Sequence, residues 1–122
     1  MSAKILIADD EEDVKTVLQM YLESRGFRIV TAYDGLDAIE QARLELPDAI
    51  LLDVMMPTMD GFEVCRTLKA DPATQAIPIV MVSAASHAES VQKGLSAGAA
   101  DYVVKPFEPE HLEKLLNKLL AK

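Results

Sequence analysis

The stretch AILLDVMMPTMDG, residues 49–61, decides the fold. Ala49, Ile50, Leu51 and Leu52 form an apolar run without polar alternation, and the run stops at one carboxylate, Asp53. A run this short and this apolar reads as a strand covered on both faces, as in parallel sheets. Pro57 then turns the chain, and Asp60-Gly61 reads as the N-cap that opens a helix. Strand, loop and helix in that order make one βα unit. The loop supplies Asp53 with no cation, so the charge that neutralises it has to come from elsewhere in the chain.

The same unit recurs on both sides. Further apolar runs are Ile5-Leu6-Ile7-Ala8, Arg28-Ile29-Val30-Thr31, Ile79-Val80-Met81-Val82 and Tyr102-Val103-Val104. The second is the most mixed, which suits an edge strand. Between the runs lie segments of helical period. Val14, Val17, Leu18, Tyr21 and Leu22 form one stripe, and Leu112, Leu115, Leu116, Leu119 and Leu120 form another. Gly26 and Gly98 read as helix stops, Asp34-Gly35 as a second N-cap, and Pro109 as an early helix position. Five alternations of strand and helix predict right-handed crossovers and a parallel sheet with helices on both faces.

The bulk numbers agree with one domain. The chain has 122 residues, long enough for a real core, and shows no linker or second composition regime. Residues 1–122 are expected to form a single domain with no room for an output domain. No run approaches the roughly 20 apolar residues of a membrane span, and the N-terminus lacks a signal-peptide pattern. Cys65 is the only cysteine, so neither a disulfide nor a cysteine-based metal site is available. A cytoplasmic location is expected. Twenty acidic side chains against 12 basic ones give a net charge of −8, which repels nucleic acid and suits a bound cation or a basic partner.

The residues just beyond the strands carry the chemistry. Asp9 and Asp10 come directly after the first run, with Glu11, Glu12 and Asp13 behind them. Asp53 ends the third, Ser83 the fourth, and Lys105 and Pro106 the fifth. Ligands of open α/β sheets bind beyond the carboxyl ends of the strands. In the flavodoxin-like strand order 2-1-3-4-5, strands 1, 3, 4 and 5 are contiguous, so these positions converge on one pocket. Three carboxylates there repel one another unless protons or a cation neutralise them. Oxygen donors without histidine or cysteine select a hard ion, and Mg²⁺ fits best. With Lys105 as a second cation and Ser83 as a donor, the pocket suits formation of an acyl phosphate, with Asp53 as nucleophile. A lone aspartate at the start of a helix is more often a cap than a ligand; the Asp9-Asp10 pair opposite Asp53 reverses those odds.

The motifs ADD at 8–10, LLDVMMPTMDG at 51–61, VSA at 82–84 and DYVVKPF at 101–107 together resemble the receiver domain of two-component response regulators, chemotaxis regulators among them. The match spans the whole chain in the right order. The resemblance implies phosphotransfer from a histidine kinase or phosphotransfer protein to Asp53. It implies that Mg²⁺ is held by Asp10, Asp53 and the Met55 backbone carbonyl, with Asp9 assisting through water. It further implies that Ser83 and Lys105 bind the phosphoryl group, that Tyr102 acts as an aromatic switch, and that Lys105-Pro106 is a cis bond. The surface of helix 4, strand 5 and helix 5 would then control a downstream effector protein, without direct nucleic-acid contact or membrane insertion. Ala100 stands where one dimerising branch carries an acidic residue, and Glu110–Lys114 lacks the basic partner, so a monomer or weak dimer is expected. Met55 and Ala85 cannot orient hydrolytic water, which predicts slow self-dephosphorylation. Met55 is expected at the site, at least one of Met56 and Met59 at a partner surface, Cys65 in the packing, and His87 and His111 at the surface.

Other readings fit less well. An Mg²⁺-dependent phosphatase would place its nucleophile after strand 1 in an Asp-x-Asp arrangement. A flavin carrier needs a Ser/Thr/Gly-rich loop there, whereas residues 9–13 are all acidic. A docking module that is never phosphorylated would have no use for an intact pocket.

Overall fold

The computed structural model describes residues 2–85 and 87–121. Its elements are β1 (Lys4–Ala8), α1 (Glu12–Ser24), β2 (Arg28–Ala32), α2 (Gly35–Glu45), β3 (Ala49–Leu52), α3 (Gly61–Ala70), β4 (Ile79–Ser83), α4 (Ala88–Ser96), β5 (Asp101–Val104) and α5 (Pro109–Leu120). The strands form one parallel sheet in the order β2-β1-β3-β4-β5, as the alternation predicts. Ser83 departs from the expectation in one respect, because it is the last residue of β4 rather than the first beyond it.

Alternation along each strand divides the core in two. Leu6, Ile50, Leu52 and Met81 face α2 and α3, where they meet Ala38, Ile39, Val64, Cys65 and Leu68. Ile5, Ile7, Leu51 and Val80 face α1 and α5, where they meet Leu18, Leu22, Leu112 and Leu116. A residue step of one sends neighbouring side chains to opposite faces, and burial of both faces explains why β1, β3 and β4 carry no polar alternation. Cys65 is buried, as expected, and its thiol reaches the Ala97 carbonyl at 3.5 Å.

The edges behave differently. β2 carries exposed and half-buried residues, as its mixed composition predicts. β5 is the other edge, and Val104 at its end is 38% exposed, so this run is not covered on both faces. The α1 stripe also needs correction. Leu18 and Leu22 are buried, but Val17 is 57% exposed, because the sheet lies under only part of the helix.

The caps bear out the local reading. Asp34 accepts from the Asp37 amide at 2.8 Å and Asp60 from the Glu63 amide at 2.9 Å, each satisfying a first-turn donor. Gly26 and Gly98 have φ of 96° and 108°, a left-handed conformation that glycine adopts without a Cβ penalty. α4 stands apart from the other helices, since Gly94 is its one buried residue.

Candidate functional site

Backbone hydrogen bonds carry the ladder one step past the strands and so fix the residues that matter. The Asp53 amide donates to the Ala8 carbonyl at 2.9 Å, and the Lys105 amide to the Ser83 carbonyl at 2.8 Å. Asp9 is held the same way, by its amide on the Ala32 carbonyl at 3.3 Å. The three residues leave the sheet at its carboxyl edge, Asp9 and Asp53 from the adjacent strands β1 and β3, with Ser83 at the end of β4 between Asp53 and Lys105. Asp9, Asp53 and Ser83 are buried, while Asp10 is exposed.

Asp9, Asp10 and Asp53 each present a carboxylate oxygen, and these oxygens lie within 4.8 Å of one another. The Lys105 ammonium donates to Asp9 Oδ2 at 2.9 Å, to Asp53 Oδ2 at 3.2 Å and to Glu11 Oε1 at 2.7 Å. Asp53 Oδ1 accepts from the Met55 amide at 3.2 Å, and Asp9 Oδ1 from the Glu11 amide at 2.9 Å. A cavity of about 240 Å³ opens over this cluster, lined by Asp10, Glu11, Asp53, Met55, Ser83 and Lys105.

The charges are out of balance. Burial, and then the neighbouring charge of Asp9, push the Asp53 carboxyl up to about 6, against the pull of Lys105 and the Met55 amide. Burial works against the Lys105 ammonium, but the hydrogen bonds it donates to Glu11 and Asp9 and the charge of Asp53 outweigh it and hold its pKa above the ordinary lysine value. Lys105 is therefore a permanent cation, facing more carboxylates than it can neutralise. A second positive charge fits here, and an all-oxygen donor set suits a hard divalent ion.

Asp9, Asp10, Asp53, Met55, Ser83 and Lys105 all lie around this cavity. Lys105-Pro106 is a cis bond, as the resemblance implies. The Ser83 hydroxyl is buried and accepts from the Ala85 amide at 3.2 Å. The Tyr102 hydroxyl donates to the Ala85 carbonyl at 2.6 Å, so the tyrosine is tied to the loop that Ser83 begins. Burial, reinforced by the charge of Asp53, raises the Tyr102 pKa. A Cβ on Gly94 would press on the Tyr102 ring at 3.0 Å, so the glycine makes room for it. Met55 is 66% exposed at the rim of the site. Met56 and Met59 are half-buried and pack against the core. His87 and His111 are exposed, as expected.

Sequence reasoning missed Glu11 as a member of the site. Glu11, Glu12 and Asp13 are equivalent in the chain, and only the arrival of Lys105 from β5 distinguishes the first of them. A second feature adjoins the site, an apolar groove of about 590 Å³ between α1 and the start of α5. Val14, Val17 and Phe107 line it, and it shares Glu11, Ala84 and Lys105 with the acidic cavity.

Known proteins carry the same arrangement of elements. Residues 5–117 match the family model for the response regulator receiver domain. The chain is 41% identical over 122 residues to the alkaline phosphatase synthesis transcriptional regulatory protein PhoP of Bacillus subtilis (strain 168), covering 100% of this chain and 50% of that protein. It spans about half the length of the transcriptional regulators it matches. Among solved structures, the chemotaxis protein CheY4 of Vibrio cholerae superposes with a TM-score of 0.92 at 34% identity, covering 98% of this chain and 100% of that one. The receiver domain of a sensor histidine kinase from Pseudomonas aeruginosa, with a magnesium ion coordinated in its active-site cleft, gives a TM-score of 0.92 at 30% identity, with 100% of both chains covered.

Proposed function

Since the chain belongs to the response regulator receiver domain family, we propose that Asp53 is its phosphoacceptor in two-component signalling. The observation that carries this is the pairing of Asp53 with Lys105 at 3.2 Å inside a cluster of three carboxylates. A carboxylate oxygen of Asp53 attacks the phosphorus of a phosphohistidine. The new P–O bond forms as the P–N bond breaks, and the histidine leaves with its electron pair. Asp9, Asp10, Asp53 and the Met55 carbonyl would hold Mg²⁺, which the Pseudomonas aeruginosa neighbour holds in its cleft. The ion would supply charge neutralisation at the transferring phosphoryl oxygens. Lys105 supplies the second cation and keeps its proton throughout.

The phosphoryl group adds about two negative charges. Ser83 and Lys105 bind it, and movement of Ser83 draws the loop through Ala85 inward. Tyr102 is bonded to that loop, so the aromatic ring moves with it and the surface of α4, β5 and α5 changes. Reversing such a two-state element takes roughly 5 kcal/mol of differential stabilisation, which several charge-assisted hydrogen bonds supply.

A histidine kinase or phosphotransfer protein would reach Asp53 along the apolar groove beside it, where the acidic rim of Glu11 and Asp13 suits a donor with basic residues. A downstream effector protein would read the switched face. Residues 1–122 act as one receiver unit in the cytoplasm, as a monomer or weak dimer. Acetyl phosphate with Mg²⁺ adds one phosphoryl group, seen by mass spectrometry, and Asp53→Ala abolishes it. Phosphate uptake by that variant would falsify the assignment. Neither the exposed Met55 thioether nor the Ala85 methyl orients water, so self-dephosphorylation is slow. Phosphate loss measured after removal of the donor takes many minutes, and complete loss within seconds refutes this part of the reading.

A further inference from the structure

Four large apolar side chains stand in water around α2: Tyr33 ahead of it, Leu36 and Leu44 on it, and Leu46 just past it. Leu44 is 71% exposed, more than any other large apolar side chain among the described residues. A groove of about 570 Å³ runs along the helix, lined by Leu36, Ile39, Glu40, Arg43 and Leu44. It shares no residue with the acidic cavity or with the groove beside α1. Exposed apolar patches of this kind mark contact surfaces.

The charges along the groove select what covers it. Leu36, Glu40 and Leu44 recur every four residues with Arg43 beside them, so one stripe carries a carboxylate and a guanidinium between two leucines. Glu40 pairs with no lysine or arginine among the described residues. Arg43 donates its Nε–H to Asp71 at 2.9 Å and keeps its terminal N–H groups for another acceptor. A two-fold axis makes a patch face itself, so the patch must complement itself. This one does so in one register. With the axis between Glu40 and Arg43, two antiparallel α2 helices set Glu40 of each copy opposite Arg43 of the other, and Leu44 of each opposite the Ile39 wall of the other's groove. A slide that stacks Leu36 on Leu44 brings Glu40 against Glu40, and like charges disfavour it.

We infer that α2 packs on α2 of a second copy of this chain in that register, without any need for phosphorylation. The contact goes beyond the phosphoacceptor reading and is independent of it. α2 lies on the β2 side of the sheet, while α4 and β5 stand at the opposite edge and α1 and α5 on the other face. The faces proposed for a phosphodonor and an effector therefore stay open in the pair. The contact is also small. α2 has 11 residues, about 16 Å of helix, and one such face buries less than the roughly 1,200 Å² of stable complexes. A net charge of −8 adds repulsion. The pair is therefore weak, with a Kd on the order of 0.1–1 mM.

Sedimentation equilibrium of the full, unphosphorylated chain reads the pair directly. In about 0.15 M sodium chloride, where exposed charges are partly screened, the weight-average mass climbs from the 13.3 kDa monomer toward twice that value as the concentration approaches about 1 mM. Leu44→Glu abolishes the climb. Glu40→Arg and Arg43→Glu each set like charges opposite one another at both ends of the contact, and each weakens association about ten-fold or more. Whole-molecule charge predicts the reverse for Glu40→Arg, since exchanging one negative for one positive charge takes −8 to −6 and lowers repulsion. An equimolar mixture of the two variants restores both pairs and associates at least as tightly as wild type. A wild-type chain that stays monomeric overturns the inference, as does association unchanged in Leu44→Glu, or unchanged or tightened in Glu40→Arg. A mixture no tighter than the single variants shows that Glu40 and Arg43 do not face one another, and overturns it too. Arg43→Glu leaves a carboxylate beside Asp71; if urea unfolding shows that this variant does not fold, Glu40→Arg and Leu44→Glu decide. No outcome depends on Asp53, so the phosphoacceptor reading stands or falls separately.

Discussion

Asp53 is held in a position that costs folding free energy. Without a divalent ion its carboxyl is pushed up to about 6, first by burial and then by the charge of Asp9. The native chain then holds the Asp53 proton more tightly than the unfolded chain, whose carboxyl has an ordinary value near 4. Native stability is therefore gained as pH falls through 6 toward 4, and it is lost as pH rises through 6. At pH 7 the shift of roughly two units corresponds to about 2–3 kcal/mol. Asp53→Asn removes the buried charge at similar volume, so in EDTA the variant is more stable than wild type at pH 7. The gap narrows by pH 5. Urea unfolding at the two pH values measures both effects, and a gap that widens toward pH 5 contradicts the assignment. Asp53 was legible in the sequence because an apolar strand ended on it. Glu11 was not, because its partner lies 94 residues away.

At the scale of elements, the loop after β3 is bolted to the start of α2. The Gly35 amide donates to the Pro57 carbonyl at 3.1 Å, and the Leu36 amide to Thr58 Oγ1 at 3.1 Å. With Asp34 on the Asp37 amide, three first-turn donors of α2 are satisfied. Thr58 has φ of 69°, an unusual conformation for a β-branched residue, held by these contacts. Met59 lies so close that a Cβ on Gly35 would run into its carbonyl. Gly35→Ala therefore forces the loop away from α2, and the overpacking costs about 1–3 kcal/mol in urea unfolding. The same loop carries Met55, the proposed backbone ligand for Mg²⁺, so on that proposal Mg²⁺ affinity falls with it. Stability lost with Mg²⁺ affinity unchanged shows that the loop is not what places Met55. The sequence marked Gly35 as a helix start, but its close approach to Met59 appears only in the folded chain. α4 offers a contrast, since Gly94 alone is buried on it and Tyr102 sits under that glycine. Few apolar contacts hold this helix, which suits an element that shifts on the sheet.

At the scale of the whole molecule, repulsion competes with pairing. The net charge is −8, which opposes compaction. Against it stand exposed or half-exposed pairs such as Lys4–Glu45, Arg25–Glu113 and Arg43–Asp71, at 3.0, 2.8 and 2.9 Å. Each contributes about 1 kcal/mol or less. Glu113 also accepts from the Tyr21 hydroxyl at 2.6 Å, and that bond, with Arg25, holds its carboxyl below the usual range while joining α1 to α5. Salt screens both effects, shortening the Debye length from about 30 Å at 0.01 M to 3 Å at 1 M. Repulsion is the larger sum, so the urea midpoint in EDTA rises across that range of sodium chloride. A falling midpoint shows that the ion pairs dominate.

The chain by itself determined the five βα units, because parallel strands need two apolar faces and helices need one, and both periods are local properties. It also determined the caps at Asp34 and Asp60, whose partners lie three residues away. The convergence of Asp9, Asp10, Asp53, Ser83 and Lys105 was legible from their common place at strand ends once the strand order was assumed. Only the tertiary structure decided what depends on distance between elements. It exposed Val17 at a groove beside the site and packed Met56 and Met59 inward. It tied Tyr102 to Ala85 and gave Lys105 a third carboxylate in Glu11. Those contacts join residues on separate elements, and their geometry is set by how the sheet and helices pack rather than by any spacing along the chain.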